Sequence, residues 1–185
     1  MIWEKLPEYW YDSAFLGNGK LGLMIYKEPG KNYLRLETGN CDVHDHRTKR
    51  DVFGIPRLLT GHFALHPKGK IINGTIHLDL WNAEASTDIT TTKGVIHLRS
   101  FVHADEMMII VKATTEGDEH DFQWEWIAAE ANSPRYLIFK RQGKANKIPK
   151  DYELNPTAKI SNGKEINLSV QKLLAGGETS VGWQE

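Results

Sequence analysis

Asp42, His44 and His46 stand two residues apart from one another. On an extended strand alternate side chains point the same way, so one carboxylate and two imidazoles would share a face. That donor set suits zinc or another divalent ion. The same pattern also describes a solvated polar edge beside Asp45, Arg47 and Lys49, and no distant fourth ligand stands out. A second kind of chemistry is stacking, because the apolar face of a pyranose packs well on an aromatic ring. Trp10, Asn18 and Trp81 are the candidates for contact with a carbohydrate. Trp124 and Trp126 share a face and better fit a core or a domain interface. A third kind is proton transfer. His62, His66, His77, His97 and His103 fall on or beside predicted strands. Any of them with Glu84 or Glu125 would make an imidazole–carboxylate pair, but spacing selects none.

Many short strands must position these residues. Gly17-Asn18-Gly19 reads as a tight reversal, since glycine and asparagine tolerate positive φ, and it feeds a strand over Leu21–Lys27. Strands follow at Tyr33–Glu37, Leu58–His66 and Thr75–Trp81, the last with Ile76, Leu78 and Leu80 on one face. Asp42 to Arg47 is polar but can continue extended. Lys93-Gly94 breaks Asp88–Thr92 from Val95–Val102 and predicts a hairpin. Met107–Thr114 is apolar enough to be a strand buried on both faces. Phe122–Ile127, Ile166–Val170 and Thr179–Gln184 complete the series. Pro134, Pro149 and Pro156 interrupt the pattern after Glu130, Gln142–Asp151 reads as a basic loop, and no long amphipathic helix is expected.

Composition narrows the function classes. Lys and Arg number 23 against 24 Asp and Glu, a net charge of -1, so no global field favours nucleic acid or an anionic membrane. No apolar run is long enough to cross a bilayer, and the first residues lack the pattern of a signal peptide. Cys41 is the single cysteine, which excludes an internal disulfide. Phosphate loops, nucleophile elbows and zinc-helix motifs are absent from the sequence. Asn73-Gly74-Thr75 and Asn167-Leu168-Ser169 fit the glycosylation pattern. The strand pattern still runs at Gly182-Trp183, from which a longer parent chain is expected.

The segment Trp10-Tyr11-Asp12-Ser13-Ala14-Phe15-Leu16-Gly17-Asn18-Gly19-Lys20-Leu21-Gly22 resembles the start of the amino-terminal β-sandwich of family 95 glycoside hydrolases. That family includes α-L-fucosidases, and the related family 65 phosphorylases carry a similar sandwich. Arg57-Leu58-Leu59-Thr60-Gly61-His62-Phe63, then Leu78-Asp79-Leu80-Trp81-Asn82-Ala83-Glu84, then Leu98-Arg99-Ser100-Phe101-Val102-His103 follow in the order found there. The likeness covers about Trp10 to Thr115. Lys20 replaces the family's usual arginine, and Leu36–His46 replaces a tryptophan-containing Leu-Asn-Glu segment.

The resemblance implies an all-β, two-sheet antiparallel β-sandwich of galactose-mutarotase-like shape (a supersandwich), one domain over 1–185 of a longer chain. It places the acid and base of hydrolysis on a helical toroid beyond Glu185, hence no catalytic residue in the present sequence. The expected role is a non-catalytic accessory domain whose partners are carbohydrate and the C-terminal catalytic domain of the same chain. No cofactor, nucleic acid or membrane partner is expected. The location implied is periplasmic or extracellular in a bacterium, with the signal peptide outside the given sequence. The alternatives are a freestanding carbohydrate-binding module and a sugar enzyme of mutarotase type, the latter using a histidine and a carboxylate.

Overall fold

Period-two alternation punctuated by glycine turns folds most of this chain into strands. The computed structural model describes residues 1–45, 47, 56–174 and 176–184. The domain expected over 1–185 resolves into two compact units, 1–39 with 62–127 and 40–61 with 128–185.

The first unit is an antiparallel β-sandwich, as the alternation implies. One sheet runs in the order β1 (Ile2–Trp3), β6 (Ile71–Asp79), β7 (Glu84–Thr91), β8 (Gly94–Val102), β9 (Ile109–Gly117). The other runs β10 (Gln123–Ala128), β5 (Gly61–His66), β4 (Leu34–Asn40), β3 (Leu21–Lys27), β2 (Ala14–Gly17). Leu23, Ile25, Leu34, Leu36 and Leu65 meet Ile76, Leu78, Ile89, Ile96 and Leu98 in one buried core. Each such side chain contributes roughly 1.5–3 kcal/mol by leaving water.

Turn chemistry sets the register. Asn18 N–H bonds the Leu21 carbonyl across the β2–β3 reversal, and Gly19 takes φ 92 there. The β7–β8 hairpin turns at Lys93-Gly94 as its sequence predicts, with Thr90 opposite Val95. A Cβ on Gly94 would lie 2.0 Å from the Glu116 carbonyl oxygen, so only glycine fits. Two side-chain clips, one exposed and one buried, tie the loops around Gly69. Asn32 donates to the Gly69 carbonyl (2.9 Å) and accepts from Ile71 N–H (2.8 Å). Glu119, fully buried, accepts from Lys68 N–H (3.0 Å), Gly69 N–H (2.7 Å) and the Thr91 hydroxyl. Those bonds give that carboxylate a structural task.

Met107–Thr114 departs from expectation. Its strand, β9, is an edge strand, Ile109 to Val111 are half-buried, and Met107 and Met108 are exposed. Periodicity alone does not tell an edge strand carrying an apolar run from a central one.

The second unit contains a three-stranded sheet, β11 (Lys159–Asn162), β12 (Asn167–Lys172) and β13 (Glu178–Trp183), and one helix, α1 (Pro134–Arg141). Pro134, which reads as a breaker in sequence, occupies the first helical turn, where its missing N–H costs nothing. Val43, Leu58 and Ala131 form a small core. Asn155 ties the loops together, donating its side-chain amide to the Ala131 carbonyl and accepting from Leu174 N–H (2.8 Å). The expected loop over Gln142–Asp151 is exposed except at Ile148 and Pro149, which are half-buried, and it includes a 3-10 turn.

Candidate functional site

Strand alternation gives the β10-β5-β4-β3-β2 sheet an apolar face toward the core and a polar face away from it. Tyr26 on β3, Arg35 and Glu37 on β4, His62 and His66 on β5, and Glu125 on β10 belong to the polar face. Glu28 and Tyr33 come from the β3–β4 connection beside them.

At its buried end, the Tyr26 hydroxyl donates to Glu37 Oε2, and Arg35 Nε lies 3.2 Å from the same oxygen. Arg35 Nη1 also reaches Glu28 Oε2 at 2.9 Å, and the guanidinium stands 5.7 Å from the Tyr26 ring centroid. Glu37 is only 7% exposed, so its charge depends on these partners. Burial and then the Glu37 carboxylate push the Tyr26 phenol above its ordinary pKa. Burial works against the charge on Arg35, but the bond to Glu28 and the field of Glu37 outweigh it and raise its pKa.

His62, 6% exposed, lies under Tyr33 with ring centroids 6.2 Å apart and planes 17° from parallel. Its Nε2 has no hydrogen-bond partner among the described residues. Burial, with the Arg35 charge added, lowers its pKa to about 4, so the imidazole is neutral at pH 7. Tyr33 also packs on His66 (5.1 Å), and its phenol is raised by burial and by Glu28. His66 Nε2 sits 2.9 Å from Glu125 Oε2 at the exposed end. An exposed imidazole–carboxylate pair can donate to and accept from hydroxyl groups and can exchange a proton. The Arg35 charge is already balanced by two carboxylates, so this face suits a neutral polar ligand better than an anion.

Of the carbohydrate candidates, Trp10 lies in a 3-10 turn (Trp10–Asp12) and is 63% exposed. It forms a group with two other exposed rings, Tyr9 stacked on Tyr11 at 5.2 Å and Trp10 edge-on to Tyr11 at 5.7 Å. The turn is pinned by Trp3 Nε1 donating to the Asp12 carbonyl (2.8 Å) and Ser13 Oγ to the Trp10 carbonyl (2.7 Å). Trp81, 94% exposed at the β6–β7 turn, stands clear of other side chains and so apart from that group. Its turn is built by Asp79, which accepts from Trp81 N–H (2.9 Å) and Asn82 N–H (3.1 Å).

Asn18 has another occupation. Its amide donates to the carbonyls of His103 (2.9 Å) and Glu106 (3.2 Å), and its oxygen accepts from Lys20 N–H (3.0 Å) and Leu21 N–H (2.8 Å). Two donors and two acceptor positions are all an asparagine has. The residue organises the reversal and keeps nothing free for a sugar.

The metal face expected from Asp42, His44 and His46 does not form as a strand. Strand β4 ends at Asn40, Cys41 and Asp42 make a turn, and Asp42 N–H bonds Asn40 Oδ1 at 2.8 Å. An asparagine that bonds the backbone two residues on competes with strand continuation. His44 makes an isolated bridge to Arg57, and its Nε2 lies 2.6 Å from the Cys41 carbonyl oxygen. His46 lies outside the described residues. Among the described residues no group of three or more His, Cys, Asp or Glu is placed to hold a metal.

The structure selects one of the imidazole–carboxylate pairs that spacing left open, His66 with Glu125. Glu84 is instead held by Arg99, and His97 by Asp88. The available signal was the alternation of Gly61-His62-Phe63-Ala64-Leu65-His66, which puts both histidines opposite Phe63 and Leu65. Tyr26, Tyr33, Arg35 and Glu37 carry no motif and join the site only through strand pairing. No protein-family model matches the chain, and no curated protein matches it.

Proposed function

We propose that this chain is a carbohydrate-contacting β-sandwich, accessory to the helical catalytic domain of a periplasmic or extracellular glycoside hydrolase. The observation that carries the proposal is the exposed ring group Tyr9, Trp10 and Tyr11, pinned in a short turn ahead of β2. Large rings held open to water cost hydration energy unless a partner covers them, and a pyranose face is such a partner. The ordered likeness of Trp10–Thr115 to the family 95 sandwich supports the same assignment. The proposed partners are an oligosaccharide and the catalytic domain of the parent chain.

Titration with fucosylated and other neutral oligosaccharides, followed by tryptophan fluorescence, tests it. Binding should weaken at least tenfold in Trp10→Ala and stay within twofold in Lys112→Gln, a change at an exposed residue of edge strand β9 away from the ring group. Saturable binding that ignores Trp10→Ala, or no binding at millimolar sugar, would refute the aromatic contact.

A second reading, a sugar enzyme of mutarotase type, is favoured by the His66–Glu125 pair. One group would take the proton of the anomeric hydroxyl while another returns a proton to the ring oxygen. Polarimetry on freshly dissolved sugars should then show accelerated anomer exchange that His66→Ala abolishes.

A further inference from the structure

From Pro134 to Lys150 the chain carries Arg135, Lys140, Arg141, Lys144, Lys147 and Lys150 and no Asp or Glu. The other 17 Lys and Arg face all 24 Asp and Glu, so the rest of the chain has a net charge of -7. All six cationic residues are exposed. Two of them have a local structural reason: Lys140 and Arg141 lie in the last turn of α1, where a cation complements the helix dipole. Lys140 also reaches Glu130 at 3.2 Å and is the one member of the six with a carboxylate partner among the described residues. The Lys144 ammonium donates to the Gln142 side-chain carbonyl (2.7 Å), Lys147 ends the 3-10 turn, and Lys150 has no carboxylate partner among the described residues.

We infer that this segment is a binding site for a polyanionic polysaccharide bearing carboxylate or sulfate groups. Charge complementarity points to the anion: an exposed basic segment on an otherwise acidic chain attracts a polyanion there and disfavours it on the rest of the chain, which orients the encounter. The state of the aromatic rings decides against nucleic acid. Tyr136 is stacked on Tyr152 at 5.1 Å, Tyr152 also lies under Arg47 (4.8 Å), and Phe139 lies under Arg135 (5.8 Å). Bases need free ring faces to stack on, and each of these rings, only half-exposed, already has a neighbour on it. The choice of a polysaccharide among polyanions rests on the carbohydrate reading above.

The test is retention and titration of the whole chain on dextran sulfate, with neutral dextran and poly(U) as parallel ligands. Dextran sulfate should bind with an affinity that falls steeply with salt, neutral dextran should not bind at this segment, and poly(U) should bind more weakly per charge. The triple change Lys144→Gln, Lys147→Gln, Lys150→Gln should weaken dextran sulfate binding at least tenfold and flatten the salt dependence by about three counterions. Melting should be unchanged, because these residues are exposed; Lys112→Gln on β9 serves as a control outside the segment. Unchanged binding in the triple variant, no retention at 50 mM salt, or tighter binding of poly(U) would each overturn the inference. Loss of neutral oligosaccharide binding in Trp10→Ala with intact dextran sulfate binding would separate the two sites, so either proposal can fail alone.

Discussion

The two outer faces of the sandwich handle charge in opposite ways. On the face of β6-β7-β8-β9, Arg99 forms a two-bond pair with Glu84 (2.9 and 2.7 Å), and His97 lies 2.7 Å from Asp88. Asp88 sits directly opposite His97 in the β7–β8 ladder, and Glu84 is diagonal to Arg99. These are open cross-strand pairs in water, each worth about 0.2–1 kcal/mol. On the polar face of the other sheet, Tyr26, Glu37 and His62 are all buried; Arg35 and Tyr26 share the Glu37 carboxylate, and the Arg35 charge disfavours protonation of His62. There Tyr26 and Glu37 depend on each other, because water no longer competes for them. Contacts of similar length on one domain therefore differ severalfold in what they contribute.

The largest expected break in that contrast comes from Glu37. Glu37→Ala strands the Tyr26 hydroxyl and half of the Arg35 ion pair at a site closed to water. Removing one partner of a buried pair costs about 3 kcal/mol or more. Urea denaturation should show that loss, with Glu37→Gln intermediate because it still accepts the Tyr26 bond. A loss below about 1 kcal/mol would place Glu37 in the same class as the open pairs.

His62 gives the next largest effect and a sign. Its folded pKa, about 4, lies below the ordinary 6.5, so the unfolded chain takes up a proton first as pH falls. Stability is unaffected above 6.5, declines by about 1.4 kcal/mol per pH unit below it, and levels off past pH 4 after about 3 kcal/mol. His62→Phe keeps a ring under Tyr33 and removes the titration. Subtracting its pH–stability curve from that of the wild type should leave this decline alone, and a flat difference between pH 6.5 and 4 would mean that His62 is hydrated.

How much of this was legible in sequence follows from the same physics. Alternation is local, so β3, the β7–β8 hairpin and the inward side of Phe63 and Leu65 could be read directly. The three expected carbohydrate residues fared unevenly: Trp10 and Trp81 are exposed, but Asn18 is consumed by backbone bonds to residues about 85 positions away. Nothing local announces such a partner. Strand β4 ends at Asn40, ahead of the expected metal residues, where a side-chain bond to Asp42 N–H accompanies the turn, and His46 lies outside the described residues. The Tyr26–Glu37–Arg35 network joins two strands, and the Arg35 field reaches His62 on a third; their pairing is set by the whole sheet, so no spacing in the sequence encodes it.

The smallest predicted effects belong to the open face, where they sharpen the contrast by their size and sign. The bond to Asp88 holds the His97 imidazolium above the ordinary histidine pKa, with burial opposing it. A raised folded pKa stabilises below pH 6.5, and that contribution disappears as pH rises through the folded value, the reverse of His62. Because the His97 and Asp88 side chains are 36% and 56% exposed, screening limits the contribution to about 0.5 kcal/mol, although His97 Nε2 itself is buried. Asp88→Asn should remove most of it, leaving the smaller part due to Glu116, which lies 3.5 Å from His97 Nε2, and should leave the acid-side decline of His62 untouched. A double-mutant cycle on Glu84→Ala and Arg99→Ala should return a coupling below about 1 kcal/mol that shrinks further in high salt. The two-bond geometry of that pair is the best the open face offers, so its coupling sets the ceiling for the face. A coupling that matched the loss in Glu37→Ala would mean that pair geometry outweighs burial in this sandwich. A small, salt-sensitive value beside a large, salt-insensitive one at Glu37 assigns the difference to exclusion of water.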